Sequence, residues 1–337
     1  MVSVPTEKRY EKHIEKELND LIDDGLKFHS KTHKKNDTWY DKNLCVVGDE
    51  FMTFLEESQP ETYENLSKKY GDSTNKKILS RLNKEIESKG LIHVLRKGFN
   101  DVYGGNIKTV FFQPNSSLNE TYRNQKYLKN RFLLVRQLYY SPNNDNYSID
   151  IGIFINGIPI LTIELKNQLT GQTVEDSDHQ YKFDRNPKGE PLLQFQRCIC
   201  HFSVDNDVVN MTTRLNGENT FFLPYNKTLN NLETESEGYK VDYLWKEILT
   251  PTSLLDIIEN FVLFTQETES VWSDEKNKVI EEKKPVLIFP RYHQLDVIRK
   301  LKSQVLEDGV GKNYLVQHTT GSGKSFEIGW LSFMLTN

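Results

Sequence analysis

The stretch Tyr147–Lys166, "YSIDIGIFINGIPILTIELK", decides how the rest of the chain is read. Two apolar runs flank Asn156-Gly157, yet Asp150, Glu164 and Lys166 interrupt them. Side chains on a strand alternate between faces. Ile149, Ile151, Ile153 and Ile155 therefore share one face of the first strand, with Asp150 on the other. On the second strand Leu161, Ile163 and Leu165 share a face, and Thr162, Glu164 and Lys166 take the opposite one. The two apolar faces coincide only if paired residues have numbers of the same parity. A two-residue turn at Asn156-Gly157 pairs 155 with 158 and breaks that rule, because a slip of one residue inverts a whole face. A three-residue loop, Asn156 to Ile158, pairs 155 with 159 and so sets Asp150 opposite Glu164. Directly opposed side chains have Cβ atoms about 4.5–5.5 Å apart. The expectation is a hairpin with one apolar side and one side on which two carboxylates converge, with Lys166 one step along.

Opposed like charges destabilise a sheet unless something neutralises them. A divalent cation does so, and Mg²⁺ favours one or two carboxylates, a carbonyl and waters. A solvated polar face or an ion-pair ladder would use the same three letters, so the surrounding sequence has to discriminate. The chain has 337 residues, room for about two domains. A hydrophobic fraction of 36% with 11% aromatics is enough for a packed core. Net charge −5 excludes a globally basic nucleic-acid coat and leaves any DNA contact to a local patch. Cys45, Cys198 and Cys200 are too few for a structural zinc site, and free thiols in a reducing cytoplasm are expected. No signal peptide and no apolar run of bilayer length is present, so no membrane association is expected.

Apolar residues Ile14, Leu18, Leu21 and Ile22 recur at helical spacing in residues 10–26, with Gly25 as the stop. Glu11 falls within the apolar sector of that helix and Glu15 at its edge. Residues 60–100 read as charged helices. "IKTVFFQ" and "RFLLVRQLYY" read as strands before the hairpin, and "VVNMTTRL" and "NTFFLP" as strands after it. Residues 171–187 read as a polar helix and 252–267 as an apolar one. The charged "TESVWSDEKNKVIEEKK" reads as a linker. The expected division is a first domain over 1–265, a linker over 266–284, and the opening of a second domain over 285–337.

In that second part, "YLVQHTTGSGKSFEIGWLSFML" sets an apolar strand before a glycine turn and an apolar helix after it. Backbone N–H groups of such a loop wrap phosphates, and the helix N-terminus adds a favourable field. Thr320, Gly321, Ser322, Gly323, Lys324 and Ser325 form the loop; Lys324 would reach the β- and γ-phosphates and Ser325 the Mg²⁺ of a bound ATP. His318 stands where the strict pattern has its first glycine. His293 and His318 read as structural.

"SIDIGIFINGIPILTIELKN" resembles the nuclease core of the PD-(D/E)xK superfamily as found in restriction (R) subunits of type I restriction–modification enzymes. Ser148–Ile149 stands where that pattern has its proline. The resemblance implies an α/β fold, a mixed central sheet flanked by helices. It implies Asp150 and Glu164 as metal ligands for Mg²⁺, Lys166 as the catalytic lysine, and either Glu11 or Glu15 as the acid contributed by the first helix. Relatives of the RecB nucleases add Q-x-x-x-Y on the following helix. Here Gln180 is followed four residues later by Asp184, which leaves the tyrosine's place to Tyr181 or Phe183 in another register; His179 reads as a surface residue. The T-G-S-G-K-S loop is similar to motif I of superfamily 2 helicases, and "FPRYHQLDVIRKL" to their Q motif, with Gln294 as the adenine contact. The chain then resembles an N-terminal fragment of a larger motor, with the start of a RecA-like P-loop lobe, expected not to couple ATP hydrolysis to DNA movement by itself. The implied activity is Mg²⁺-dependent cleavage of double-stranded DNA after ATP-driven translocation by the full subunit. Methyltransferase (M) and specificity (S) subunits are the implied partners and the cytoplasm the implied location. Lys182, Arg185 and Arg197 are candidate phosphate contacts. The missing tyrosine sustains an alternative, a catalytically weak nuclease-like assembly or regulatory module attached to an ATPase. A plain nucleotide-binding protein would leave the acidic hairpin unexplained.

Overall fold

The computed structural model describes residues 7–114, 119–228, 231, 239–273, 278–309 and 311–336. Its centre is an eight-stranded mixed sheet built from β1 (Ile22–Asp23), β2 (Leu26–Thr32), β5 (Phe132–Tyr139), β6 (Ser148–Ile155), β7 (Ile158–Leu165), β8 (Cys200–Val204), β9 (Val209–Thr212) and β10 (Leu223–Pro224), in that order across the sheet. The pairs β2–β5 and β7–β8 are parallel and the others antiparallel. β3 (Phe99–Asp101) and β4 (Gly105–Ile107) form a separate ribbon. Between β2 and β5 the chain makes α2 (Gly48–Ser58), α3 (Pro60–Tyr70), α4 (Thr74–Lys89), α5 (Leu91–Lys97) and α6 (Glu120–Gln125). α1 (Glu7–Asp20) opens the fold, and α7 (Val174–His179) and α8 (Pro251–Asp256) follow the central hairpin. The fold is thus mixed α/β around one large sheet.

The central hairpin has the expected pairing by a different route. Asn156 (φ 50°) and Gly157 (φ 75°) make a two-residue turn, with Ile155 opposite Ile158 and Phe154 opposite Pro159. A β-bulge then adds one residue, Ile160, after which Ile153 faces Leu161 and Ile151 faces Ile163. The bulge restores the parity that the turn breaks, so no three-residue loop is needed. Proline in a central strand is confined to such irregularities, and Pro159 sits beside this one. Gly157 is obligatory for packing as well as for its left-handed backbone, since a Cβ there would lie 2.3 Å from Val47 O. Ile151, Ile153, Ile155, Leu161, Ile163 and Leu165 enter the main core with Tyr10, Ile14 and Leu18 of α1, while Ile149 and Phe154 join a second cluster around Tyr181, Leu192 and Leu193.

Several sequence-based boundaries move. The first helix ends at Asp20, and Gly25 (φ 83°) lies in the turn between β1 and β2. Of "IKTVFFQ" (107–113) only Ile107 is strand, and the "NTFFLP" segment contributes only β10. The apolar helix after Pro251 widens into a π-turn over Ile257–Phe261 and stops there; residues expected to continue it form β11 (Leu263–Ser273). β11 pairs with β12 (Lys278–Ile288) from Leu263↔Ile288 to Ser273↔Lys278, so the charged segment expected as a linker is a two-stranded arm, of which 274–277 lie outside the described residues. Lysine and glutamate are as compatible with an exposed ribbon as with a coil. Beyond the arm, α9 (Tyr292–Asp308) and α10 (Lys324–Thr336) rest on the first part of the chain through Arg299–Asp256 (2.8 Å), Tyr292 OH to Glu247 (2.9 Å) and Trp330 against Phe261. The three cysteines are free and buried. No helix among the described residues is long and apolar enough to cross a membrane.

One buried carboxylate pins α2 to the sheet. Glu50 accepts from Arg131 Nε at 2.7 Å and contacts His29 Nε2 at 3.0 Å and Lys31 Nζ at 3.4 Å. Burial alone would raise its carboxyl, but His29 and Arg131 outweigh it and bring it down to about 2. A depressed carboxyl contributes stability that is whole above its unfolded value near 4.5 and is lost as pH falls through 2. Glu50→Gln is expected to cost about 2 kcal/mol at pH 7, allowing for solvent screening. In urea unfolding the deficit should shrink as pH falls from 4.5 toward 2; a deficit independent of pH would contradict the assignment.

Candidate active site

Four elements meet where the hairpin leaves its apolar face. β6 and β7 carry Asp150 and Glu164, each next to a member of the pair Ile151↔Ile163 with which the ladder ends. Asp150 Oδ2 accepts the Leu165 amide at 2.8 Å, a bond that locks it across the two strands. Gln137 of β5 has a left-handed backbone (φ 52°), and its Nε2 donates to Glu11 Oε1 at 2.8 Å and to Asp150 Oδ1 at 3.3 Å. Positive φ in a strand is strained for a residue with a side chain and needs surrounding structure to hold it. Gln137 is thereby a bridge between two acids, and no feature of the sequence pointed to it.

Of the two first-helix glutamates Glu11 is the one beside Asp150, and it is 1% exposed. Glu15, one turn on, pairs with Arg136 at 3.0 Å at the rim. Burial, then the charge of Asp150, raises the Glu11 carboxyl to about 7. Glu164 is completely buried, and burial and Asp150 push its carboxyl well above the usual range against the pull of Arg185. Its Oε1 accepts from Arg185 Nε at 2.8 Å, while Oε2 is buried with no hydrogen-bond partner. Lys166, 8% exposed, continues the same face of the strand, and its Nζ is 3.5 Å from Glu7.

Above this face lie α7 and a π-turn over Gln180–Asp184. Gln180 Oε1 is a second buried oxygen without a partner. Tyr181 is buried, with its hydroxyl 2.8 Å from Thr162 Oγ1, which in turn contacts His201 Nδ1 at 2.7 Å; burial brings that imidazole down to about 3, so it is neutral. Phe183 is 54% exposed and stacks on His179 at the surface, and Asp184 is exposed. Two of the three candidate phosphate contacts are not available as such: Arg185 is paired with Glu164, and Arg197 is 5% exposed and bonded to Leu44 O and Asn83. Lys182 lies over the Phe222 ring.

Two carboxylates, one of them with an unpartnered buried oxygen, beside a third acid about half-ionised near pH 7, are a donor set suited to a hard divalent cation. A cation would supply the positive charge that burial otherwise withholds.

The glycine loop is well separated in sequence from this centre. Gly321 (φ 77°) and Gly323 (φ 88°) have left-handed backbones and α10 begins at Lys324, while 312–319 form no strand. Thr320 and Ser325 are exposed and Ser322 is buried. Lys324 Nζ folds back onto the carbonyls of His318 (3.2 Å) and Thr319 (2.8 Å). Gln294 caps α9 and donates to Ser322 O at 2.9 Å. His293, His318 and Glu327 have donor atoms within 4.8 Å of one another, a contact that the 2.9 Å His318–Glu327 hydrogen bond accounts for.

Raised carboxyls lower stability as they ionise: the effect is absent below the unfolded value near 4.5 and complete above about 7 for Glu11. In metal-free protein, Asp150→Asn is expected to melt a few degrees above wild type at pH 8 and at the wild-type temperature at pH 5. Thermal unfolding at the two pH values checks this, and a variant less stable at both would contradict the convergence of the acids.

The family model described as "Type I restriction enzyme R protein N terminus" matches residues 8–220. A Methanocaldococcus jannaschii protein, named as the MjaVIIIP type I restriction enzyme endonuclease subunit, is 29% identical over 225 residues, 62% of this chain and 19% of that one. The HindI type I restriction enzyme endonuclease subunit of Haemophilus influenzae is 26% identical over 208 residues, 59% of this chain and 18% of that one. The chain thus spans about a fifth of the length of these relatives. On that match, the chain belongs to the N-terminal region family of type I restriction enzyme R proteins, the endonuclease subunits.

Proposed function

We propose that the sheet and its acidic face are a PD-(D/E)xK nuclease core that hydrolyses phosphodiester bonds of double-stranded DNA with Mg²⁺. The observation that carries the reading is that Asp150 reaches across to the Leu165 amide beside Glu164, whose Oε2 is buried and unpartnered. Asp150 and Glu164 would hold the cation. Bound there, Mg²⁺ supplies a Lewis acid for the scissile phosphate and acidifies a coordinated water. Lys166 extends from the same face and orients the attacking water. Glu11, whose carboxyl is near half-ionised at neutral pH, is able to take up a proton. Gln137 keeps Glu11 and Asp150 at a fixed separation through its two hydrogen bonds.

Residues 285–336 would begin a RecA-like motor lobe. There Lys324 would hold the phosphates of ATP, Ser325 the nucleotide's Mg²⁺, and Gln294 the adenine. Translocation, and assembly with methyltransferase and specificity subunits in the cytoplasm, belong to the longer protein. A second reading has one observation in its favour. An exposed Asp184 stands where the nuclease motif has tyrosine, which suits a catalytically weak assembly module.

Cleavage separates the two. The full-length subunit carrying Asp150→Ala, assembled with its modification and specificity partners and given DNA, ATP and Mg²⁺, is expected to lose cutting by at least about 100-fold while ATP turnover continues. Undiminished cutting would remove the nuclease assignment from this site.

A further inference from the structure

The helix after the hairpin contains a device that the sequence motif conceals. Asp184, four residues after Gln180, points to solvent. In an α-helix, residue i+4 would share the face of Gln180. Here the helix widens over Gln180–Asp184, and the amide of Arg185 donates to Gln180 O at 3.0 Å, an i→i+5 bond. Such a turn inserts one residue and returns position i+5 to the face that i+4 would hold. Arg185 therefore projects inward. Its Nε donates to Glu164 Oε1 at 2.8 Å, with side-chain exposures of 10% for Arg185 and 1% for Glu164. The remaining oxygen of Glu164 and the amide oxygen of Gln180, both buried, have no partner.

We propose that Arg185 is a positioning residue for Glu164, taking through the widened turn the place left without tyrosine. The guanidinium fixes one carboxylate oxygen and leaves the other for a divalent cation shared with Asp150. A planar guanidinium restrains the plane of a carboxylate in a way that a single ammonium does not. Residues that orient a metal ligand typically change metal affinity by roughly 10- to 100-fold when removed. This inference rests on the nuclease reading of the site.

The test uses Mn²⁺ as the probe, titrated into the 337-residue chain and followed by electron paramagnetic resonance and calorimetry. Arg185→Ala is expected to weaken Mn²⁺ binding by roughly tenfold or more. Arg185→Lys should recover part of that loss, and Asp184→Ala should bind as wild type does. In the assembled enzyme, Arg185→Ala should raise the Mg²⁺ concentration for half-maximal cleavage and leave the KM for DNA unchanged. Should Arg185→Ala not fold, Arg185→Gln and Arg185→Lys carry the comparison. Wild-type Mn²⁺ affinity in the folded Arg185 variants, with Asp150→Ala abolishing binding, would overturn the role of Arg185 alone. Mn²⁺ binding untouched by Asp150→Ala would instead overturn the nuclease site on which the inference stands.

Discussion

A strand pair cannot slip by one residue without turning every side chain to the wrong face, and that parity governs this molecule. The turn at Asn156-Gly157 is the tight one that strand twist favours, and alone it would bury Asp150 and Glu164 in opposite layers. Ile160 absorbs the conflict as a bulge, beside a proline that could not have continued a regular ladder. Everything on the acidic face follows from that extra residue. Beyond it, Ile163 still meets the core under α1, and Glu164 meets Asp150, Arg185 and the π-turn.

The acids are expensive to fold in this arrangement. Glu11 and Glu164 are buried, and each has its carboxyl raised by burial first and by Asp150 second. Compensation is partial: one arginine on Glu164, one glutamine amide between Glu11 and Asp150, one backbone amide on Asp150. Contrast Glu50, another buried carboxylate, which has Arg131, Lys31 and the His29 imidazole around it and is held well below its ordinary value. The same side-chain chemistry is saturated at the structural position and left short of positive charge at the candidate site. On the nuclease reading proposed above, a bound cation would make up that shortfall.

How much of this was readable beforehand depended on the range of the forces involved. Alternation along 147–166 is local, so the facing of Asp150 and Glu164 could be read directly, and the family match agrees with the resemblance carried by those residues. The turn could not: parity admitted a longer loop or a bulge, and Pro159 was the clue that favours a bulge. Glu11 and Glu15 lie one helical turn apart, and only the packing of α1 against β7 buries one and leaves the other to Arg136. Gln137 was invisible because its left-handed backbone is imposed by neighbours rather than by its type. Arg185, a candidate phosphate contact by its charge, instead turns in to Glu164, because a π-turn is not encoded in a hydrophobic period. The charged arm of β11 and β12 failed for a related reason, as exposed ribbons and coils draw on the same residues.

Crystals of the chain soaked in Mn²⁺ and measured at the manganese absorption edge would address the central claim with least inference. The account requires an anomalous peak coordinated by both Asp150 and Glu164, with Lys166 and Gln180 alongside. Manganese bound elsewhere while those carboxylates stay bare, or the two acids found on opposite faces of the sheet, would contradict it.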